Sequence, residues 1–464
     1  MSIRQERTLW IALAIILLMR LLALGSYPLM DTSEARYAEM ARKMVESGDW
    51  ITPMFDYNVP FWGKPPLSFW TQAASMQLFG INEFSARLPA WLFHVGSCFL
   101  IIRLGTHEFS RAAGIWAAII FSSTALGFVA SGVSLTDPAL SFSLLLASYG
   151  FWRWINYSDK LGANLGFIGL GLGLLAKGPL ILILMGLLAL SWVVLNRQWQ
   201  QLFKLPWLSG LSLMLMLAVP WYVAAELKTP GFLDYFFIGE HWSRYVVSKW
   251  EGDLYGSAHA RPYGTIWLQL GLALFPWILF LPRWLRKWKA ASPFEIYLWL
   301  WALVTPIFFT FAGNILWTYL LPALPAWALL LASKIEDDGR IIKRAALACA
   351  LILPTIGVTI ILLGVLEARP QNQRDIVRAW LNEQSTEPAP LIYPGRRSYS
   401  SEFYSSGESL NIKDPIAWPK NGAFYLSRRL RDRSITLPSN LSCTNIAEAN
   451  ASQLLRCSWQ TSNL

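Results

Sequence analysis

Apolar runs of about 17 to 25 residues recur along the first four fifths of the chain, each about long enough to cross a ~30 Å hydrocarbon core as an α-helix. The runs are continuous rather than alternating, which excludes a membrane β-barrel. Composition agrees. Of 464 residues, 54% are hydrophobic and only 15% charged, with 25 tryptophans, so lipid is the solvent for most of the chain. The first run, Trp10 to Leu24, follows a short basic stretch as a signal peptide would, but no small-residue cleavage pattern accompanies it. It reads as a retained first span.

The patterning predicts a polytopic α-helical membrane protein with about eleven spans, in a range of 11 to 13. They fall near residues 9–27, 86–104, 112–130, 138–154, 161–175, 178–195, 207–225, 263–281, 294–312, 316–333 and 344–366. Basic residues mark alternate loops: Arg4 and Arg7; Arg103 and Arg111; Arg153 and Lys160; Arg197 and Lys204; Arg283, Arg286, Lys287 and Lys289; Lys334, Arg340, Lys343 and Arg344. The positive-inside rule makes these loops cytoplasmic, and it accounts for the net charge of +10 without nucleic acid. An odd span count then puts the N-terminus in the cytoplasm and the tail outside. Two parts are expected: a membrane part, residues 1–366, and a tail on the outer side, residues 367–464, with short β-like runs that predict a small α/β domain. Of the four cysteines, Cys98 and Cys349 sit in apolar runs. Only Cys443 and Cys457, in the tail, are placed to pair in an oxidising compartment.

Two long polar stretches, 28–85 and 226–262, face outward on this topology. Loops of that length are usually functional or disordered, and their aromatics and mixed charges argue against disorder. In the first, Tyr37, Met40, Ala41, Met44 and Val45 share one helical face, which predicts an amphipathic helix on the membrane surface. Asp31 and Glu34 either start that helix as a capping box, with Gly48 as its stop, or act as a general base at the bilayer surface. Lys64 lies in the stiff run Val59 to Pro66 on the outer side, where charge bias does not call for a cation. A bound phosphate explains it better than snorkelling does. Asp137-Pro138 and Lys177-Gly178-Pro179 mark outer span ends, and Tyr319 sits in a short aromatic turn that begins at Asn314. The second loop holds Glu240-His241 with Arg244, and His259 further on. Two histidines so far apart are weak grounds for a metal, so hydrogen bonding or phosphate contact is expected of them. Acids, cations and histidines thus gather on one face. This suits a reaction whose leaving group is a phosphate, and the absence of a Gly-rich nucleotide cradle suits a donor already carried on a lipid.

At these residues the chain resembles the bacterial 4-amino-4-deoxy-L-arabinose transferases of lipid A and, more distantly, the protein O-mannosyltransferases. The resemblance covers about the first 330 residues. The family stretch Asp-Glu-x-Arg-Tyr-Ala-Glu is matched by Ser33 to Glu39, and Glu-Lys-Pro-Pro by Gly63-Lys64-Pro65-Pro66, so Ser33 replaces an Asp and Gly63 a Glu. It implies the multispan C-type glycosyltransferase fold and an undecaprenyl (polyprenyl) phosphate-linked sugar donor, with a lipid, glycan or protein acceptor at the outer face of the bacterial inner membrane. It also implies that Arg36, Tyr37, Lys64, Lys177, His241, Arg244 and Tyr319 bind the donor phosphate, and that Asp31, Glu34 and Asp137 serve catalysis. No cofactor is firmly implied, and dependence on a divalent metal stays open. The competing reading is a lipid-linked-substrate transporter or flippase. That class would place ionisable residues at span midpoints rather than at one end.

Overall fold

The computed structural model describes residues 3–256, 259–286, 292–384, 388–395, 397–430 and 437–460. Lys287 and Lys289, expected in a basic loop, lie outside the described residues. Helix occupies every one of the eleven apolar stretches. Among the described residues, five helices are individually long and apolar enough to cross a membrane: Glu83–Glu108, Trp207–Lys228, Pro293–Thr310, Trp317–Ile335 and Arg340–Leu362. A sixth crossing arises if Thr265–Ala273 and Trp277–Leu285, bent by 95°, count as one span. The other stretches are shorter, broken or less apolar.

Local signals explain the boundaries. Asn82 accepts the Ser85 N–H at 2.9 Å and its own N–H donates to Ser85 Oγ, a capping box that starts Glu83–Glu108. The run read as 112–130 breaks at Thr124, whose hydroxyl accepts the Gly127 N–H and caps a new short helix. The bend in the 263–281 stretch faces that break. The Phe275 carbonyl accepts the Ala125 N–H at 2.7 Å, so each interruption satisfies the other, as non-helical backbone at membrane depth requires. Asp137–Tyr157 and Lys160–Lys177 pack closely through glycine: a Cβ on Gly150 would lie 2.4 Å from the Gly162 carbonyl oxygen and from the Gly166 nitrogen.

The polar stretches are built rather than loose. Residues 28–85 hold the helix Ser33–Ser47, a hairpin pairing Met54–Asp56 with Val59–Pro60, and the helix Leu67–Phe79. Gly48, at φ 67°, ends the first helix as expected, its N–H on the Met44 carbonyl. Residue 32, not 31, is the N-cap, and no side chain caps the helix. Nor does the helix lie open on a membrane surface. Its polar side, Glu39, Arg42 and Lys43, is buried along with Met40 and Met44, because the tail helix Tyr399–Tyr404 packs across it. The run around Lys64 bends rather than extends, and Pro66 starts the next helix. The tail forms a five-stranded mixed sheet in the order Leu410–Asn411, Leu391–Tyr393, Phe424–Arg429, Ser452–Trp459, Leu441–Ala449, with the helix Arg374–Gln384 against it. Cys443 and Cys457 pair across its last two strands and are disulfide-bonded; Cys98 and Cys349 are free.

Candidate active site

A cavity of about 630 Å³ opens where the two polar stretches, the ends of the apolar helices and the tail meet. Seven of the ten residues singled out from sequence line it: Arg36, Tyr37, Lys64, Asp137, Lys177, Arg244 and Tyr319. Each is placed by a helix start, a helix end or a turn. Asp137 begins a helix with Pro138 in its first turn, and Lys177 ends one. Gly178 follows at φ 71°, where a Cβ would also meet the Phe236 ring at 2.5 Å, so only glycine allows this turn. Asp137 and Lys177 pair at 2.6 Å, both buried, and the Lys177 ammonium sits 4.4 Å from the centre of the Tyr319 ring.

A second charged group comes from the π-helix Tyr235–Ser243, which carries Glu240 one turn before Arg244. Glu240 takes the Lys64 ammonium and receives Arg244 Nη1 on both oxygens at 2.9 Å. Arg244 also lies 3.4 Å from Asp253. Burial pushes the Glu240 carboxyl up, but Lys64 and Arg244 outweigh it, and the acid sits below its usual range. Asn314 fixes this corner, donating to the carbonyls of Arg244 at 2.7 Å and Val247 at 3.0 Å. His259 lines the cavity and is held neutral by burial and by the nearby Arg244 and Arg36. Arg36 donates to the Tyr255 carbonyl at 2.5 Å, and its buried Nε has no hydrogen-bond partner among the described residues.

Three expected residues do not line the cavity. The Glu34 carboxylate is taken by buried Arg87 at 2.7 Å and by the Met30 N–H at 3.0 Å, so it braces the first loop and is not placed to meet a substrate. Asp31 turns away to the tail, bound by Ser398 and Ser400. His241 wedges between carbonyls, Nδ1 at 2.7 Å from Phe236 O and Nε2 at 3.1 Å from Lys177 O, and burial lowers its pKa. It anchors the π-helix to the end of the Lys177 helix. Conversely, Asp253, Tyr255, Arg397 and Tyr399 line the cavity without a sequence signal that singles them out; Glu240 had one, its spacing of four from Arg244. Gly63 has a local reason: a Cβ there would lie 2.8 Å from the ring of Phe61, which fills that space. Among the described residues no group of three His, Cys, Asp or Glu is gathered to hold a metal ion.

The fold is that of membrane-embedded glycosyltransferases. It superposes on ArnT from Cupriavidus metallidurans, solved bound to undecaprenyl phosphate, with a TM-score of 0.83 over 96% of this chain and 97% of that one, at 18% identity. A family model described as dolichyl-phosphate-mannose-protein mannosyltransferase matches residues 5–236, and the chain belongs to that family. Its relatives include proteins named undecaprenyl phosphate-alpha-4-amino-4-deoxy-L-arabinose arabinosyl transferase. That of Shewanella sediminis is 30% identical over 377 residues, covering 79% of this chain and 67% of the relative. That of Aeromonas hydrophila is 31% identical over 340 residues, covering 71% and 60%. The chain spans 61% of the length of the Edwardsiella ictaluri protein of the same name, at 29% identity.

Proposed function

We propose that this chain is a glycosyltransferase that moves a sugar from a polyprenyl-phosphate carrier to an acceptor at the outer face of the bacterial inner membrane. The observation that carries the reading is the convergence of Arg36, Lys64, Lys177 and Arg244 on one cavity beside apolar helix ends. Anionic carriers of this kind are what the relatives are named for, undecaprenyl phosphate with aminoarabinose. The acceptor is a lipid A or lipopolysaccharide-type molecule, or another periplasmic glycoconjugate. A protein acceptor is the second reading, favoured by the family model's description.

In this reading an acceptor oxygen attacks the anomeric carbon, the bond from that carbon to the phosphate oxygen breaks, and polyprenyl phosphate leaves with one more negative charge. Lys64 and Arg244 hold that phosphate, and Glu240 fixes both cations in place before it arrives. Arg36 adds a third cation to the same cavity wall, and Tyr37 and Tyr319 wall the donor. Asp137 is the only one of the three candidate acids on the cavity wall. Receipt of an acceptor proton, where the acceptor carries one, falls to it, with Lys177 paired to it at 2.6 Å. The organisation is a membrane part, 1–366, with a periplasmic tail, 367–464, and a cytoplasmic N-terminus.

Mass spectrometry of lipid A, lipopolysaccharide core and periplasmic glycoproteins tests this, in cells with and without the gene, complemented by wild type or by Lys64→Ala. One glycoconjugate loses a defined sugar mass without the gene, and Lys64→Ala does not restore it. Unchanged glycoconjugates in all samples, with the protein expressed, would refute the transferase reading.

A further inference from the structure

One wall of the cavity comes from the tail. Tyr399 is buried, edge-on to Phe55 at 5.8 Å, with the Arg36 guanidinium 5.9 Å from the centre of its ring. Arg397, also on the wall, is held by Glu402 at 2.6 Å and Asp56 at 3.0 Å. The residues on either side of Tyr399 are both held by Asp31. Its Oδ2 accepts the Ser398 hydroxyl at 2.8 Å and the Ser400 hydroxyl at 3.2 Å, and its Oδ1 accepts the Ser400 N–H at 2.8 Å. Its own backbone N–H is fixed on the Gln371 carbonyl at 2.8 Å. Arg429 stands 3.9 Å off. Asp31 is therefore joined to the tail at three residues while lying next to the helix that carries Ser33, Arg36 and Tyr37 to the cavity.

This arrangement is poor for a base and good for a clamp. Both carboxylate oxygens are already occupied as hydrogen-bond acceptors, and the group does not line the cavity. Burial pushes its pKa up to about 6 from 3.8, only partly offset by the Ser400 N–H, the Ser398 hydroxyl and Arg429. A helix start does not need this carboxylate, since no side chain caps the helix.

We propose that Asp31 is a positioning residue that fixes the turn at residues 398–400, so that Tyr399 and Arg397 complete the cavity wall beside Arg36 and the tail becomes part of the transfer site. The proposal rests on the transferase reading above for its kinetic consequence, and on geometry alone for its structural one. The wall stands beside Arg36, which the transferase reading gives to the donor phosphate, so the donor is the substrate that feels it.

Two readouts on the full-length protein in nanodiscs test it. In transfer assays, Asp31→Ala raises the donor KM about tenfold. Asp31→Asn keeps a carbonyl oxygen for the Ser400 N–H and stays within about threefold of wild type, which a general base could not do. In a Cys98→Ser, Cys349→Ser background, Tyr399→Cys reacts slowly with a membrane-impermeant maleimide, and adding Asp31→Ala speeds the reaction at least fivefold. Where Asp31→Ala does not accumulate, Ser398→Ala with Ser400→Ala carries the same labelling test. Unchanged labelling, or an Asp31→Asn variant as inactive as Asp31→Ala, overturns the clamp. Faster labelling in a protein whose wild type transfers no sugar supports the clamp and refutes the transferase reading instead.

Discussion

Lys64 and Glu240 should respond to substitution in opposite ways, and the structure gives the scale. Lys64 and Arg244 bring two positive charges to one corner of the cavity, and Glu240 and Asp253 bring two negative ones. The group is neutral as it stands. Removing Lys64 leaves it net negative where the proposed donor phosphate would bind, whereas Glu240→Gln leaves it net positive. A cation about 4 Å from a phosphate at an effective dielectric of about 20 contributes about 4 kcal/mol before other costs. Lys64 is 15% exposed and already shares Glu240, so part of this is screened. Loss of one such donor typically costs about 2.7 to 4 kcal/mol, or a factor of about 10² to 10³ in kcat. With purified protein and a synthetic polyprenyl-phosphate sugar, Lys64→Ala should fall by that factor at saturating acceptor. Glu240→Gln should lower the donor KM and strengthen product inhibition by free polyprenyl phosphate. Lys64→Ala combined with Glu240→Gln restores a neutral group and should recover at least tenfold over Lys64→Ala alone. A double variant no better than the single one, or a near-normal Lys64→Ala, would refute the assignment of this corner to the phosphate.

Two more expectations concern the first loop. Asp31 has a native pKa of about 6 against 3.8 unfolded, so its contribution to stability is fully present below about pH 4 and lost as the pH rises through 6. Beside Asp31→Asn, with Arg429 and Tyr393 as the other titratable groups facing the site, the wild type should lose up to about 3 kcal/mol between pH 4 and 7; parallel curves of thermal stability against pH would refute this. Arg87 is fully buried, donating to Glu34 at 2.7 Å and to the carbonyls of Leu24, Tyr27 and Pro28, so Arg87→Met should cost about 3 to 5 kcal/mol and deplete folded protein. Glu34→Gln should lower thermal stability too, yet keep near-normal turnover per folded molecule, and a specific loss of kcat would return Glu34 to the chemistry.

What could be read from the sequence follows how far apart the interacting residues are. Apolar period and length need only neighbours, and helix stands on all eleven stretches read as spans. Gly48 and Gly178 act as stops through their own backbone angles. The convergence of Lys64, Asp137, Lys177, Arg244 and Tyr319 was also legible, because all five lie at the span ends and loops that the basic-loop pattern reads as outer, where cations such as Lys64 need a reason. The destinations of Asp31 and Glu34 were not. Their spacing fits a local capping box, but the partners that win, Ser398, Ser400 and Arg87, are remote in sequence and ordinary in type. His94 shows the same limit, its ring bonded to Ser122 at 2.9 Å inside the helical core. The broken 263–281 stretch held Pro276 as a signal, but the donor that satisfies the freed Phe275 carbonyl, the Ala125 N–H, lies on another helix.

The seam between first loop and tail explains why so many charges are buried away from the cavity. Glu39 takes Arg42 at 2.7 Å and Lys43 at 3.5 Å, Lys43 reaches Glu402 at 3.4 Å, and Glu402 holds Arg397. Burial raises the Glu39 pKa even with both cations beside it, so the pair is held at a desolvation cost. Apolar residues of the same volume would join two surfaces as strongly, since buried ion pairs add little net stability. They would not fix the angle between them, because apolar packing tolerates sliding, whereas the pairs that cross the seam, Lys43 with Glu402 at 3.4 Å and Arg397 with Asp56 at 3.0 Å, tie particular atoms together. On this seam the tail turn carrying Tyr399 and the helix carrying Arg36 meet to form one cavity wall. A run of buried charges leading from the membrane-side helix to that turn is the expected solution where register matters more than affinity.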